Sequence, residues 1–308
     1  MSLTGCERFF NEDCDFEEYS EEMWVYYDWR LAESVPYENK PYELCITEET
    51  GSRSIIHTNS VGEQLKLESG EYNLIVYDEV KNITFSNNGY VISQNGVTNN
   101  VITLEPEHFY VGEKNVLIRD HKIQNGQDVL MLPQTRDLVI RIKFTNINDH
   151  KIKTVSGFKS LLNNVTVSRD ISEGFIPQEV EGREVAAQVY ANLNLIFEKI
   201  ESTSRASVPI QNIEEVLFQS HNTLIGLGKE AKSLKLEYFL EDQDGIQKPM
   251  FLEIDVTSYL ESFQTTLDRY HVFVLNLEIN ANSPTEEQLW SIKDWSIGNV
   301  TDVISTEN

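Results

Sequence analysis

Cysteine is scarce in this chain of 308 residues, and its pattern excludes one class of fold. The three cysteines, Cys6, Cys14 and Cys45, are odd in number and do not form the disulfide framework of a small secreted domain. If Cys6 is modified, Cys14 and Cys45 remain as a pair that could bond. We expect both to stay reduced, because Cys14 falls in a segment of poor folding potential.

Positive charge is also in short supply, which excludes a class of partner. Lys and Arg number 25 against 50 Asp and Glu, giving a formal net charge of −25. Such a chain repels polyanions, so nucleic acid is not an expected partner. Nowhere do about 18 apolar residues follow one another, so we expect no membrane-spanning helix and any membrane attachment to come through lipid.

The spacings of catalytic and metal sites are missing as well. The glycines are scattered without a phosphate-binding loop, and the histidines are isolated from one another and from the cysteines. Composition alone leaves a hydrolase open, since some of so many carboxylates must lie close together. We nevertheless predict a protein that is not an enzyme, with no catalytic, cofactor-binding or metal-binding residues. The histidines are His57, His108, His121, His150, His221 and His271.

What the chain does have is a cysteine in an informative context near its N-terminus. The tetrapeptide ending at Cys6 resembles the maturation site of bacterial lipoproteins, where the thiol receives a diacylglycerol and the cysteine becomes the first residue. We therefore predict Cys6 as the lipid attachment site, the alternative being a free thiol in a floppy N-terminus. The basic and apolar regions of a secretory signal do not precede Leu3, so the chain is interpreted as a processed form in which Met1–Leu3 need not be native.

The segment after Cys6 is strongly acidic. Positions 7–22 contain eight Asp and Glu residues and a single basic residue, Arg8. Such a segment cannot bury enough apolar surface to order itself. We therefore predict that residues 1–21 are a disordered, lipidated acidic tether.

Beyond the tether, short runs of alternating apolar and polar residues indicate an all-β protein. The first run places Met23, Val25, Tyr27 and Trp29 on one face. The alternation stops at residues 133–137 and restarts at Leu138, so we predict an N-terminal β-sandwich over 22–133 and a C-terminal β-sandwich over 134–308. A strand is expected over 193–200, and 184–193 and 283–286 carry helical signals.

Two features allow a binding interpretation and a structural one. The run from Asp242 to Gly245 has the alternating oxygens of a calcium loop, but it lacks the downstream bidentate glutamate, so a hairpin turn is favoured. The aromatic residues at positions 24, 26, 29, 290 and 295 could form a platform for sugars. Packing in the core is favoured for them, because aromatic side chains supply large buried area in sandwiches.

Several segments together resemble the fimbrillin-like surface lipoproteins of Bacteroidales, most of all the fimbrial anchor, or minor-fimbrium anchor, subunits. They are the acidic tether, the aromatic first strand ending Tyr27-Asp28-Trp29, the turn from Leu67 into Val76-Tyr77-Asp78, residues 156–167 and 234–240, Glu253 to Thr257 with a short helix after it, and Lys293-Asp294-Trp295. The resemblance implies two tandem transthyretin-like β-sandwiches, with the first near the membrane. The acids after Cys6 resemble the signal that exports such lipoproteins to the outer face of the outer membrane.

The resemblance also implies how the protein would assemble. Stalk subunits of the group polymerise when a protease removes an N-terminal strand and a neighbour's strand fills the groove, whereas anchor-type members keep that strand. No convincing protease site is present, since Arg136 lies in the predicted linker and Arg30 and Arg53 lie beside predicted strands. The termini, including 299–305, are the expected donors of a strand.

Our leading expectation is a surface-exposed outer-membrane lipoprotein that acts as anchor, tip or accessory subunit of a fimbria-like adhesin through β-strand exchange. Its expected partners are other fimbrial subunits or surface proteins and the outer membrane. The alternative is a surface glycan-binding lipoprotein that feeds a sugar importer, which exposure of Trp24, Trp29, Trp290 and Trp295 in one plane would favour.

The lipid prediction can be tested on the full-length precursor. One fourteen-carbon chain binds a membrane only marginally, so stable attachment needs the two or three chains of a matured lipoprotein. We expect Cys6→Ala to release the protein into the soluble fraction, while Cys14→Ala and Cys45→Ala leave it on the membrane. Retention of Cys6→Ala protein after a high-salt wash would contradict the prediction.

Overall fold

The structure, a computed structural model, describes residues 21–31, 41–78, 80–86, 89–119, 126–147, 152–171, 189–200, 216–228, 230–263, 272–281 and 290–298. Within these ranges the chain is almost entirely β-sheet, with one short helix, α1 (Thr257–Leu260), and a 3₁₀ turn at Glu261–Phe263. The all-β prediction and the short helix expected after Glu253 are therefore confirmed. No helix in the described ranges has the length and apolar character needed to span a membrane.

The strands are short in the first half of the chain and longer in the second. In order they are β1 (Glu21–Asp28), β2 (Tyr42–Glu48), β3 (Arg53–Thr58), β4 (Gly62–Leu67), β5 (Gly70–Asp78), β6 (Ile83–Ser86), β7 (Val91–Gln94), β8 (Val97–Thr98), β9 (Val101–Ile102), β10 (Tyr110–Ile118), β11 (Gln127–Pro133), β12 (Arg136–Thr145), β13 (Ile152–Asp170), β14 (Val189–Asn194), β15 (Glu198–Ile200), β16 (Val216–Leu224), β17 (Ser233–Asp242), β18 (Gln247–Asp255), β19 (Val272–Asn280) and β20 (Trp290–Gly298).

The first sheet has the order β3-β2-β5-β10-β11-β1-β4 and folds over on itself. Although β1 and β2 are four places apart in this order, the rings of Trp29 and Tyr42 lie 5.4 Å apart, and those of Tyr27 and Tyr42 lie 6.2 Å apart. One face of a single curled sheet therefore encloses the first core, which buries Met23, Val25, Leu44, Leu74, Val76, Val129 and their neighbours.

The second core lies between two sheets packed face to face. One has the order β15-β16-β12-β19-β20, and the other runs β18-β17-β13-β14-β9-β8 with β7 and β6 attached to β13. Strict alternation along β17 buries Leu234, Leu236, Tyr238 and Leu240 and leaves the residues between them more exposed. Across the sandwich, the ring of Tyr238 packs edge-on against that of Phe144 on β12 at 5.1 Å. The sandwich architecture expected from the sequence is present here.

Strand β13 connects distant parts of the chain. It is 19 residues long and pairs with β17, β14 and, over its last three residues, β7. Breaks in its register and positive φ angles at Gly157 (68°) and Asn164 (58°) let one strand follow several partners. Strands from 83–102 therefore hydrogen-bond in the same sheet as strands beyond residue 133. The division into units at 22–133 and 134–308 stays a prediction.

A buried arginine makes hydrogen bonds where strands from the first and second halves of the chain meet. Arg169, fully buried near the end of β13, donates Nε to the carbonyl oxygen of Ile225 at 2.8 Å and Nη2 to Oε1 of Gln134 at 2.9 Å. It also donates to the carbonyl oxygens of Asp170 and Gln134. Ile225, from the second half of the chain, packs in one cluster with Cys45, Ile75 and Phe109 from the first.

The structure confirms some predicted elements and corrects others. The run from Asp242 to Gly245 is a hairpin turn between β17 and β18, with Gly245 at φ 80° and Asp242 Oδ1 accepting the N–H groups of Asp244 and Ile246. The single strand expected over 193–200 is wrong. There β14 pairs with β13 in one sheet and β15 pairs with β16 in the other, because residues 195–197 cross from one sheet to the other.

Two long strands, β16 and β20, had no counterpart in the sequence prediction. The middle of β16 is polar, with Gln219, Ser220, His221 and Asn222 in succession, so it shows no apolar alternation. The buried side chains of Ser220 and Asn222 satisfy each other, since Asn222 Nδ2 donates to Ser220 Oγ at 2.7 Å. Because polar side chains occupy these buried positions, β16 shows no hydrophobic period in the sequence.

Some predictions fall outside the described residues and stay predictions. They concern Cys6, Cys14, residues 1–20 of the tether, residues 184–188 of the first helical signal, the helical signal at 283–286, the donor strand at 299–305, and His121, His150 and His271. The rest of the first helical signal, over 189–193, is wrong, because these residues belong to strand β14. Residue 21, the last of the predicted tether, belongs to β1.

Removal of the Arg169 side chain tests the importance of this buried connection. Arg169→Leu leaves several buried carbonyl groups without their donor, so we expect a loss of about 3–5 kcal/mol in the free energy of unfolding. Arg141→Leu is the matched control, because partly buried Arg141 makes one side-chain bond, from Nε to Gln219 Oε1, and should cost about 1 kcal/mol. Denaturant titration measures both, and equal losses would contradict the expectation.

Candidate functional site

The first strand, β1, lies inside a sheet rather than at its margin. It pairs antiparallel with β4, from Glu21 opposite Leu67 to Tyr26 opposite Gly62, and parallel with β11, from Val25 opposite Gln127 to Asp28 opposite Leu130. Both backbone edges of β1 are thus engaged. Without β1, the sheet would have a slot bordered by β4 and β11.

Side chains hold β1 in this slot. Met23, Val25, Tyr27 and Trp29 are buried, as their spacing predicted. Trp29 closes the end of the strand, with Nε1 donating to the carbonyl oxygen of Ser60 at 2.7 Å and its ring 5.4 Å from that of Tyr110. Each such burial contributes on the order of 1.5–3 kcal/mol.

Gly62 allows the backbones of β1 and β4 to approach closely. Its φ is 139°, and a Cβ atom built there would lie 2.1 Å from the carbonyl oxygen of Val25. A side chain at position 62 would therefore push β4 away from β1. The slot is built for tight contact with this strand.

The arginines considered as protease sites differ in accessibility. Arg136 is fully buried on β12, where it donates to the carbonyl oxygen of Phe263, lies over the Phe273 ring and has its pKa lowered by burial to about 9. Arg53 donates Nε to the buried Cys45 thiol at 3.1 Å. Arg30 lies two residues beyond the end of β1 and is exposed, paired with Asp28 at 2.9 Å. Of the three, Arg30 is the one at which a cut would separate β1 from β2.

Within the described ranges, each sheet ends in strands that pair on one side only, so their outer backbone edge can accept another strand. The first sheet ends in β3 and β4, and the five-stranded sheet ends in β15 and β20. Strand β18, at the end of the eight-stranded sheet, carries Lys248 and Pro249 and exposes Phe251. Lysine and proline limit edge-to-edge pairing, so β18 is the most guarded of these edges.

The aromatic residues do not form one plane of tryptophans. Trp29 is buried, and Trp290 is partly buried against the second core, so packing accounts for both. Trp24 and Tyr26 instead lie on the outward face of β1, with exposures of 45% and 43%. Their rings are nearly parallel, 12° apart, with centroids 5.9 Å from each other. The side chain of Trp295 lies outside the described part of the structure.

Two histidines that are distant in sequence meet at one carboxylate. Asp137, at the start of β12 and almost completely buried, lies 2.8 Å from Nε2 of His221 and 3.6 Å from Nε2 of His108. Thr223 donates its hydroxyl to Asp137 Oδ1 at 2.8 Å. Glu105 accepts the backbone N–H of Thr223 at 3.1 Å, which adds a second carboxylate to the cluster.

Sequence reasoning missed this cluster because its members lie on different elements. His108 precedes β10 and His221 is on β16, so no spacing in the chain signals their contact. The half-buried ring of His108 has a lowered pKa, because desolvation and the neighbouring His221 outweigh the attraction of Asp137. Among the residues that the structure describes, no three His, Cys, Asp or Glu side chains are arranged to hold a metal ion.

Comparisons with known proteins identify the fold. No family model matches the chain, and no curated protein matches its sequence. Among solved structures, a candidate adhesin from Bacteroides ovatus is 11% identical with a TM-score of 0.56, covering 91% of this chain and 93% of that one. The fimbrial anchor protein Mfa2 from Porphyromonas gingivalis is 12% identical with a TM-score of 0.53, covering 90% of this chain and 96% of that one.

A third structure carries a different functional description. A candidate polysaccharide-binding protein from Bacteroides thetaiotaomicron is 12% identical with a TM-score of 0.51, covering 91% of this chain and 99% of that one. At these identities the likeness concerns the fold. It confirms the resemblance to Bacteroidales adhesins and fimbrial anchors at that level.

The pKa of His108 gives the cluster a testable pH dependence. Because the folded-state pKa lies below the unfolded value of about 6.5, the folded protein disfavours the protonated ring. This contribution to stability is present above pH 6.5 and is lost as the pH falls through the lower, folded-state pKa. We expect the free energy of unfolding of the wild type, relative to His108→Gln, to fall between pH 7.5 and pH 5. A difference that does not change with pH would contradict this.

Proposed function

We propose that this protein is a non-enzymatic surface adhesin that acts as an anchor, tip or accessory subunit of a fimbria-like assembly through β-strand exchange. Its fold, shared over nine-tenths of the chain with a fimbrial anchor protein and with candidate adhesins, supports this class. In this proposal it is held on the outer face of the outer membrane by lipid at Cys6, and its partners are other fimbrial or surface proteins.

The position of β1 is the observation that carries the proposal. To receive a neighbour's strand in the middle of a sheet, a subunit needs an open slot, and in the first sheet the slot between β4 and β11 is filled by the chain's own β1. A subunit whose slot is filled cannot accept a neighbour's strand there. This favours a terminal or accessory position, as in anchor-type members of the resembling group, over a position within the stalk.

Other parts of the molecule remain available for assembly. Among the described strands, β3 and β15 lie at sheet edges, where backbone N–H and C=O groups can pair with a partner strand and alternating side chains would set its register. The donor can be this chain or its neighbour. Residues 299–305, which include Val300, Val303 and Ile304, are the proposed donor on this chain.

The test is made on protein isolated from the outer membrane of producing cells after cross-linking. We expect mass spectrometry to find β1 still joined to β2 through the bond after Arg30, and to identify a fimbria-type β-sandwich subunit as the cross-linked partner. The Arg30→Gln variant is the matched control for proteolysis, and it should give the same N-terminal peptides as the wild type.

Two results would overturn parts of the proposal separately. Loss of residues up to Arg30 from the wild type, but not from Arg30→Gln, would show removal of β1 and assign the protein to the stalk. If no fimbrial or surface subunit is cross-linked to the protein, the proposal that it belongs to an adhesin assembly is wrong. Deleting 299–308 with no effect on the cross-links would exclude that segment as the donor.

A further inference from the structure

The outward face of β1 carries a pair of aromatic rings that no buried core explains. Trp24 and Tyr26 each expose more than two-fifths of their surface, although they alternate with some of the most buried residues in the chain. Their near-parallel rings form one continuous aromatic surface. Exposing both rings carries a hydration cost that binding a ligand would relieve.

The ring of Tyr26 packs against Gly126, the residue directly before β11. A Cβ atom built on Gly126 would lie 2.3 Å from Tyr26 Cε2 and 3.2 Å from the carbonyl oxygen of Trp24. The Tyr26 ring therefore lies directly against the backbone at Gly126, and any other residue there would displace it. A surface fixed before the ligand arrives loses little conformational entropy on binding.

Polar side chains on β1 and on both neighbouring strands surround the rings on the same face. Gln64 lies opposite Trp24 and donates Nε2 to Glu22 Oε2 at 2.8 Å. Lys66 lies opposite Glu22, and Asp128 lies opposite Tyr26 on β11. These four side chains are exposed and supply both donors and acceptors around an apolar centre.

We propose that the Trp24–Tyr26 pair and this polar border bind a neutral saccharide. A pyranose ring has an apolar C–H face that stacks on an aromatic ring and hydroxyl groups at its edge that exchange hydrogen bonds with amide, ammonium and carboxylate groups. The carboxylates of Glu22 and Asp128, together with the net charge of −25, disfavour uronic acids, sulfated sugars and nucleic acids. Saccharide binding here goes beyond the proposed assembly function and does not depend on it.

Affinity electrophoresis on purified protein tests the site. Native gels contain one of three neutral polysaccharides, yeast α-mannan, laminarin or arabinoxylan, or the anionic polygalacturonate. We expect at least one neutral polysaccharide to retard the wild type, and Trp24→Ala and Tyr26→Ala each to weaken the interaction about tenfold or more. Phe251→Ala is the matched control, because Phe251 is 63% exposed on another sheet and its loss should leave retardation unchanged.

The remaining outcomes overturn the proposal. These are no retardation by any neutral polysaccharide, retardation by polygalacturonate alone, or equal retardation of wild type and Trp24→Ala. Co-sedimentation with phosphatidylcholine vesicles that requires Trp24, without retardation by sugars, would assign the pair to a lipid surface instead. Thermal midpoints equal to that of the wild type establish that the variants fold. If the variants keep the wild-type cross-links to assembly partners, loss of sugar binding is separated from loss of the proposed assembly function.

Discussion

The requirement that strand edges find hydrogen-bond partners governs this structure. A chain built almost entirely of strands, with one short helix in its described part, satisfies its backbone by pairing strands, often with partners far away in sequence. The curled first sheet, the central place of β1 and the three successive partners of β13 follow from this. It also explains Gly62, Gly157 and Asn164, which provide the close approach or the positive φ that such pairing needs. Among the described residues, the strands at the ends of the sheets are then the places where a further strand can be added.

Sequence alternation was a good guide wherever one face of a strand is buried and the other is exposed. It placed β1 and β17 well, and it assigned the inward residues of β1 correctly because the period of two is fixed by strand geometry. It failed on β16, whose buried polar side chains hide the period, and on residues 195–197, where the chain changes sheet. Local pattern carries no information on which sheet a strand joins.

The candidate sites likewise depend on contacts between strands that the sequence pattern does not show. The sequence analysis placed Trp24 and Trp29 in one aromatic group. In the fold, Trp29 is buried, whereas Trp24 and Tyr26 are exposed. The difference depends on which strands pack against each ring, and the sequence does not show this. His108, Asp137 and His221 were isolated in sequence because their contact depends on β12, β16 and the segment before β10 meeting in space. Cys6 and the acidic segment after it are known from sequence alone, and the lipid site remains a prediction.

The parallel pairing of β1 with β11 has a mechanical consequence. In the proposed arrangement, tension from the membrane enters β1 at its N-terminal end, whereas β11 passes load onward from its C-terminal end through residues 134–135 to β12. Parallel strands start at the same end of a sheet, so these two forces pull toward opposite ends. The hydrogen bonds between β1 and β11 are then loaded together in shear instead of one after another, and a pull on the surface-bound molecule must break the whole row at once.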